Sequence, residues 1–129
     1  MLFLNRFSDQ LYSLMRLMAG FLFACHGAQK LFGVLGSPSM VRVPLMLAAG
    51  SIEFFGGLLI ALGVCTAIAA LLASGEMATA YFLQHFPHSF WPIRNHGEMA
   101  VLFCFVFLYI ASQGDGRWSA RSLLKGKRL

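Results

Sequence analysis

Glu53 and Glu76 each interrupt a long apolar run, at matching distances from the turn between them. Residues 45–83 are almost wholly apolar, and a short Gly63-Val64-Cys65-Thr66 turn divides them. At ~1.5 Å rise per residue, each carboxyl lies about 17 Å from that turn, near the middle of a ~30 Å hydrocarbon layer. A charge at that depth costs roughly 2.5–3.5 kcal/mol on insertion scales, so such a side chain usually faces a bundle interior and has a role. Two acids at one depth can hold an ion pair, bind a ligand, or donate and accept protons.

On a helical wheel, Ala49, Gly50, Gly56 and Gly57 surround Glu53 at i−4, i−3, i+3 and i+4. That face is nearly bare, so another helix packs closely there or a small cavity opens beside the carboxylate. Arg16 is the expected partner. It lies about two turns from the inner end of the first span, within a turn or so of the depth of Glu53 and Glu76. Two arrangements stay open. One guanidinium holds both carboxylates in a planar fork, or one carboxylate pairs while the other stays protonated as a proton donor.

A second polar group is expected at the outer end. His26, Gln29 and Lys30 crowd one side of the first helix, Asn95 and Glu98 share the start of the last, and His85, His88 and His96 are near. Lys30 and Glu98 are placed to pair about one turn below the interface. Histidine with lysine and carboxylate suits proton shuttling or hydrogen bonding to a quinone carbonyl; solvated loop histidines are the alternative. With neither an HxH nor an HxxxH pair, no metal site is assigned.

The elements that must position these groups follow from hydropathy and breakers. Four spans are predicted, over approximately 10–32, 44–63, 66–86 and 95–113. Gly33, Gly63, Pro87 and Gly114 close them, Pro44 opens the second, and Thr66 is a candidate N-cap of the third. The fold class is therefore an all-α integral membrane four-helix bundle. It forms one domain over residues 1–129, with a short basic tail at 114–129. The chain is 58% hydrophobic and only 12% charged, with mean hydropathy +0.70. Soluble domains carry about 25% charged residues.

The net charge of +5 is not a nucleic-acid footprint, because half of the ten basic residues stand in the tail: Arg117, Arg121, Lys125, Lys127 and Arg128. With an even number of spans, this tail and Arg6 place both termini in the cytoplasm. The first apolar helix carries Arg16, His26 and Lys30 and reads as a retained span rather than a cleaved leader. Cys25, Cys65 and Cys104 form no CxxC pair and read as inert thiols.

Taken in order, several stretches resemble the DoxX family of small membrane proteins. They are Arg16…Gly20, His26-Gly27-Ala28-Gln29-Lys30-Leu31-Phe32-Gly33, Glu53-Phe54-Phe55-Gly56-Gly57-Leu58-Leu59 and Leu62-Gly63-Val64-Cys65-Thr66. Glu76-Met77-Ala78-Thr79-Ala80-Tyr81-Phe82, Asn95-His96-Gly97-Glu98 and Gly114-Asp115-Gly116 complete the set. One departure is Ala67, where family members often have Arg after the inner Thr. The resemblance implies a four-helix membrane bundle linked to redox metabolism, since the family takes its name from a subunit associated with thiosulfate:quinone oxidoreduction.

The resulting expectation is a quinone- and proton-handling subunit of a membrane oxidoreductase system in the cytoplasmic (inner) membrane. Arg16, Glu53 and Glu76 would form its proton- or quinone-handling centre, and His26, Lys30, Glu98, Asn95 and His85 an outer binding group. Quinone is the expected cofactor, there being no haem, flavin or metal signature. Lipid and a protein partner or second copy are the expected contacts, with no nucleic acid. Whether the polypeptide catalyses anything alone stays open. The alternatives are a non-catalytic scaffold that recruits a redox or stress-response partner, and a small-solute carrier. A quinone subunit requires a lipid-facing pocket beside Glu53, a scaffold requires full pairing and no cavity, and a carrier requires a polar path between the inner and outer groups.

Overall fold

A computed structural model describes residues 2–126; Lys127 and Arg128 of the basic tail lie outside the described residues. The described residues form helices and loops with no strand. A short α1 (Leu2–Asn5) precedes α2 (Ser8–Phe32), and α3 (Pro44–Leu62) returns antiparallel to it. Next come α4 (Thr66–His85), the short α5 (Pro92–Asn95), α6 (Glu98–Gln113) and α7 (Ala120–Gly126).

Three of these helices, α2, α3 and α4, are long and apolar enough to cross a membrane. Their most apolar windows are only 28–39% buried within the molecule, so most of their apolar surface needs lipid to cover it. Leu17, Phe21, Leu58, Leu71, Leu72, Leu102 and Phe105 all face outward. The chain is a multi-pass membrane protein.

The last long helix departs from expectation. It starts at Glu98 rather than Asn95 and runs 16 residues, about 24 Å at ~1.5 Å per residue and so short of a full hydrocarbon layer. Pro92 starts a separate turn, and His96 breaks it with a left-handed backbone (φ 61°). Asn95 then binds the Gly97 N–H through Oδ1 at 2.8 Å, which keeps it in the loop. Thr66 is not the cap of α4 but its first residue. The cap comes from far along the chain, as the Asp115 carboxylate accepts the Thr66 N–H at 3.0 Å.

Helices α2 and α3 meet backbone to backbone. A Cβ on Gly27 would stand 2.2 Å from the Phe54 nitrogen, and one on Gly57 2.5 Å from the Ala24 nitrogen. Gly27 thus lies opposite Gly50, and Gly20 opposite Gly57. These contacts set the register of the hairpin. Helices α4 and α6 pack along their lengths, where Ser74 Oγ donates to the Cys104 carbonyl at 2.8 Å. Phe23 joins the two hairpins by packing on Phe107 with ring centres 4.7 Å apart. Ala19, Ile60, Ala69, Ala70, Ala73 and Ile110 complete this core.

The α3–α4 hairpin opens away from its turn. The two helices touch from the turn up to the Ile52–Gly56 segment, and above that they part. Ile52–Gly56 is itself a π turn, a local widening of the helix that is frequent at functional sites.

Candidate functional site

Glu53 sits in that π turn, where α3 and α4 separate. It is 1% exposed. Lys30 Nζ donates to its Oε1 at 2.5 Å. Glu53 Oε2 is buried and has no partner, and the same holds for Glu76 Oε2. Glu76 lines the same cavity as Glu53 and Lys30, from α4. With one lysine beside two acids, the trio is electrically neutral when the acids share one proton.

A cavity of about 600 Å³ lies against this trio. Its wall is mostly apolar and comes from the half of the bundle away from the termini, including Phe23, Leu45, Ala49, Leu72, Leu83 and Phe103. Gly75 leaves a bare strip beside Glu76, since a Cβ there would meet nothing within 4 Å. The wall residues Leu45, Leu71, Leu72, Leu83 and Met99 are also exposed on the membrane-facing surface. The cavity is therefore in contact with lipid through the gap between α3 and α4.

His26 and His85 also line the cavity. The His85 Nδ1 lies 3.0 Å from the Asn95 carbonyl. A carbonyl only accepts, so Nδ1 carries the proton and Nε2 is left as the acceptor of the neutral ring. His26 is exposed and sets its ring edge-on to Phe103.

Asn95 is a loop organiser rather than a ligand group. It is 4% exposed, and Nδ2 donates to the Ser89 carbonyl at 2.7 Å and the Tyr81 hydroxyl at 3.2 Å. Glu98 is exposed and does not meet Lys30, whose carboxylate partner is Glu53. Among the described residues, no three His, Cys, Asp or Glu side chains cluster as a metal would require.

Arg16 belongs to neither acid. The hairpin register puts it level with Ala61 and Gly63, two to three turns or about 12–15 Å nearer the termini than Glu53. Helical side chains lean toward their own N-terminus. Arg16 leans away from the acids, whereas Lys30 on α2 and Glu53 on the antiparallel α3 lean toward each other.

Arg16 instead ties chain ends together. Its Nε donates to the Ile60 carbonyl at 3.0 Å, and its Nη2 donates to Trp118 at 2.6 Å and Ala61 at 3.4 Å. Nη1 donates to the Asp115 carbonyl. The Ile60 and Ala61 carbonyls belong to the last turn of α3, the negative end of its dipole.

Two residues of this inner knot carry no polar role in the sequence reading. Tyr12 donates to the Gly114 carbonyl at 2.6 Å. Asp115 accepts from Thr66 and, at 3.2 Å, from Arg121. Partial burial opposes the charge on Asp115, but the Thr66 N–H and Arg121 outweigh it and hold the carboxyl below its usual range. The placement of Asp115 between two glycines after an apolar run is the one signal that marks it in the sequence.

The family model described as DoxX matches residues 11–86, the stretch that holds Arg16, His26, Lys30, Glu53, Glu76 and His85. The chain belongs to the DoxX family. A Haemophilus influenzae protein described as "Uncharacterized protein" is 35% identical over 120 residues, covering 88% of this chain and 90% of its own length. No solved structure matches the chain. The DoxX match contains all three members of the Lys30, Glu53 and Glu76 trio and most of the cavity wall, while Asp115 and Asn95 fall beyond it.

Proposed function

We propose that this DoxX protein is a quinone- and proton-handling subunit of a membrane oxidoreductase system. The observation that carries the reading is the pair of buried, unpartnered carboxyl oxygens of Glu53 and Glu76, beside Lys30 on the wall of a lipid-facing cavity. Small-molecule sites commonly measure ~300–1,000 Å³, with apolar walls and a few convergent polar groups. The cavity fits that description. A pure scaffold would pair these acids fully and close the space. A carrier would join them to the inner polar knot, yet Phe23, Ile60, Ala70, Ala73 and Phe107 between the two levels are at most 1% exposed.

A quinone bound here would supply the two-electron chemistry, exchanging electrons with a partner protein and two protons at its carbonyl oxygens. The chain's own residues supply the rest. Lys30 holds Glu53 and offers further N–H donors. Glu53 and Glu76 hold and release protons at Oε2. The apolar wall selects a lipid-soluble ligand over a water-soluble one. Arg16 takes no part beyond fastening the inner ends.

The same reading places the protein in the cytoplasmic membrane with both termini inside. Arg6, Arg117, Arg121 and Lys125 lie at the end that bears the termini, against Arg42 and Arg94 in the opposite loops.

The test is thermal unfolding in lipid nanodiscs against ubiquinone and menaquinone analogues, for wild type, Glu53→Gln and Glu76→Gln. Binding to the folded state alone raises stability by RT ln(1 + [L]/Kd), about 2.7 kcal/mol at one hundred times Kd. Saturable stabilisation of the wild type that both variants lose supports the reading. A well-folded wild type that responds to no analogue overturns it.

A further inference from the structure

We infer that the Glu53/Glu76 pair exchanges protons with only one side of the membrane, the side opposite the two termini. The inference rests on the reading that this pair handles protons, and it adds the compartment from which those protons come.

The cavity is confined to one half of the bundle. Its wall uses residues 23–30 of α2, 45–53 of α3, 71–85 of α4 and 99–103 of α6. In α2, α3 and α6 these belong to the half away from the termini, and in α4 they reach from that half down to Leu71. The acids lie in its inner part, where α3 and α4 close on each other, with Leu71 and Leu72 about one turn below Glu76. Toward the far surface, every element facing the pair except α6 carries a titratable or charged group. These are His26 and Lys30 on α2, Glu53 itself on α3, and Glu76 and His85 on α4. From α6 the wall receives only Met99, Ala100 and Phe103. The Lys30 side chain is 24% exposed, so the chain of polar groups reaches from the acids to the surface.

Toward the termini the way is shut. Ile60, Ala70, Ala73, Phe107 and Ile110 are fully buried, and Phe23 and Ala69 pack with them. Ser74, the polar side chain nearest below Glu76 on α4, is occupied by the Cys104 carbonyl. Beyond the plug stands Arg16, a buried cation held by four carbonyls. A proton crossing from that side would have to pass a fixed positive charge and then an apolar layer, and both oppose it.

The test needs no quinone. Full-length protein is reconstituted into liposomes, and molecules of either orientation are distinguished by protease access to the tail. The pH is set independently inside and outside, with ionophores holding the potential at zero. The membrane-soluble reagent dicyclohexylcarbodiimide adds to protonated carboxyl groups, and mass spectrometry reads the adduct on peptides containing Glu53 and Glu76. Glu53→Gln and Glu76→Gln identify which carboxyl reacts.

The expected result is labelling that follows the far-side pH, falling about tenfold per unit once the pair is mostly ionised, and stays unchanged when only the termini-side pH moves. Labelling that follows the termini-side pH, or both, overturns the sidedness and leaves the proton-handling reading in place. Labelling at neither carboxyl under any pH overturns both.

Discussion

Lys30 Nζ and Glu53 Oε1 stand 2.5 Å apart across the α2–α3 hairpin, with Glu53 buried and its second oxygen unpartnered. Two glycine contacts set the register that permits this, and opposite chain directions turn the two side chains toward each other. Removing one member of a buried ion pair typically costs about 3–5 kcal/mol, because the other is left uncompensated. Lys30→Met is therefore expected to lower the unfolding midpoint and cellular abundance strongly. Adding Glu53→Gln to that variant should recover most of the loss. A double variant no more stable than Lys30→Met would show that the lysine acts through something other than this carboxylate.

The close approach of α2 and α3 makes two glycines behave oppositely. Gly27→Ala would set a methyl group 2.2 Å from the Phe54 nitrogen, a backbone atom that cannot turn aside. The hairpin must open, at an expected cost of about 1–3 kcal/mol or more. Gly56→Ala on the same hairpin meets nothing within 4 Å, and alanine's helix propensity favours it by up to about 1 kcal/mol. Thermal unfolding of the two variants in one lipid composition checks this. Equal effects would mean that the glycines do not set the register.

The ends of the first two spans were legible in the sequence because they depend on local features. Gly33 and Gly63 both adopt left-handed caps (φ 63° and 74°), and apolar runs of membrane length leave few alternatives. Partner choice was not legible. Depth counted along each helix makes Arg16 a neighbour of Glu53, but the true alignment depends on which glycine faces which. The lean of each side chain then decides the contact. Asn95 misled for another reason: its polarity suits a ligand, yet the turn around Gly97 uses every polar atom of its amide. The parting of α3 from α4 above Glu53, which creates the cavity, is a tertiary feature with no counterpart in hydropathy.

The inner knot should show itself in acid. The Asp115 carboxyl titrates lower in the folded protein than its usual range, because the Thr66 N–H and Arg121 favour its charge against the cost of burial. Its contribution is thus complete above the unfolded value, about 3.9, and is lost as pH falls through the folded value. Asp115→Asn should be less stable than wild type near neutral pH, and the gap should close as pH drops below about 4. Unfolding midpoints of both proteins across that window give the comparison. A gap that persists at low pH would assign the effect to the shape of Asp115 rather than its charge.

Gly75 offers a way to close the cavity without touching its chemistry. It lies on α4 next to Glu76, lines the cavity, and has open space where a side chain would project. Gly75→Leu should fill that space and gain helix propensity, with stability equal to wild type or higher by up to about 1 kcal/mol. Lys30, Glu53 and Glu76 all remain. If a quinone head binds beside the acids, stabilisation by ubiquinone or menaquinone analogues should weaken at least about tenfold, equivalent to about 1.4 kcal/mol of binding free energy. Glu53→Gln changes the polar group and keeps the space, so the two variants separate shape from charge. An unchanged response in Gly75→Leu would place quinone binding elsewhere on the molecule, and the carboxyl pair would then need a ligand small enough to share the filled cavity.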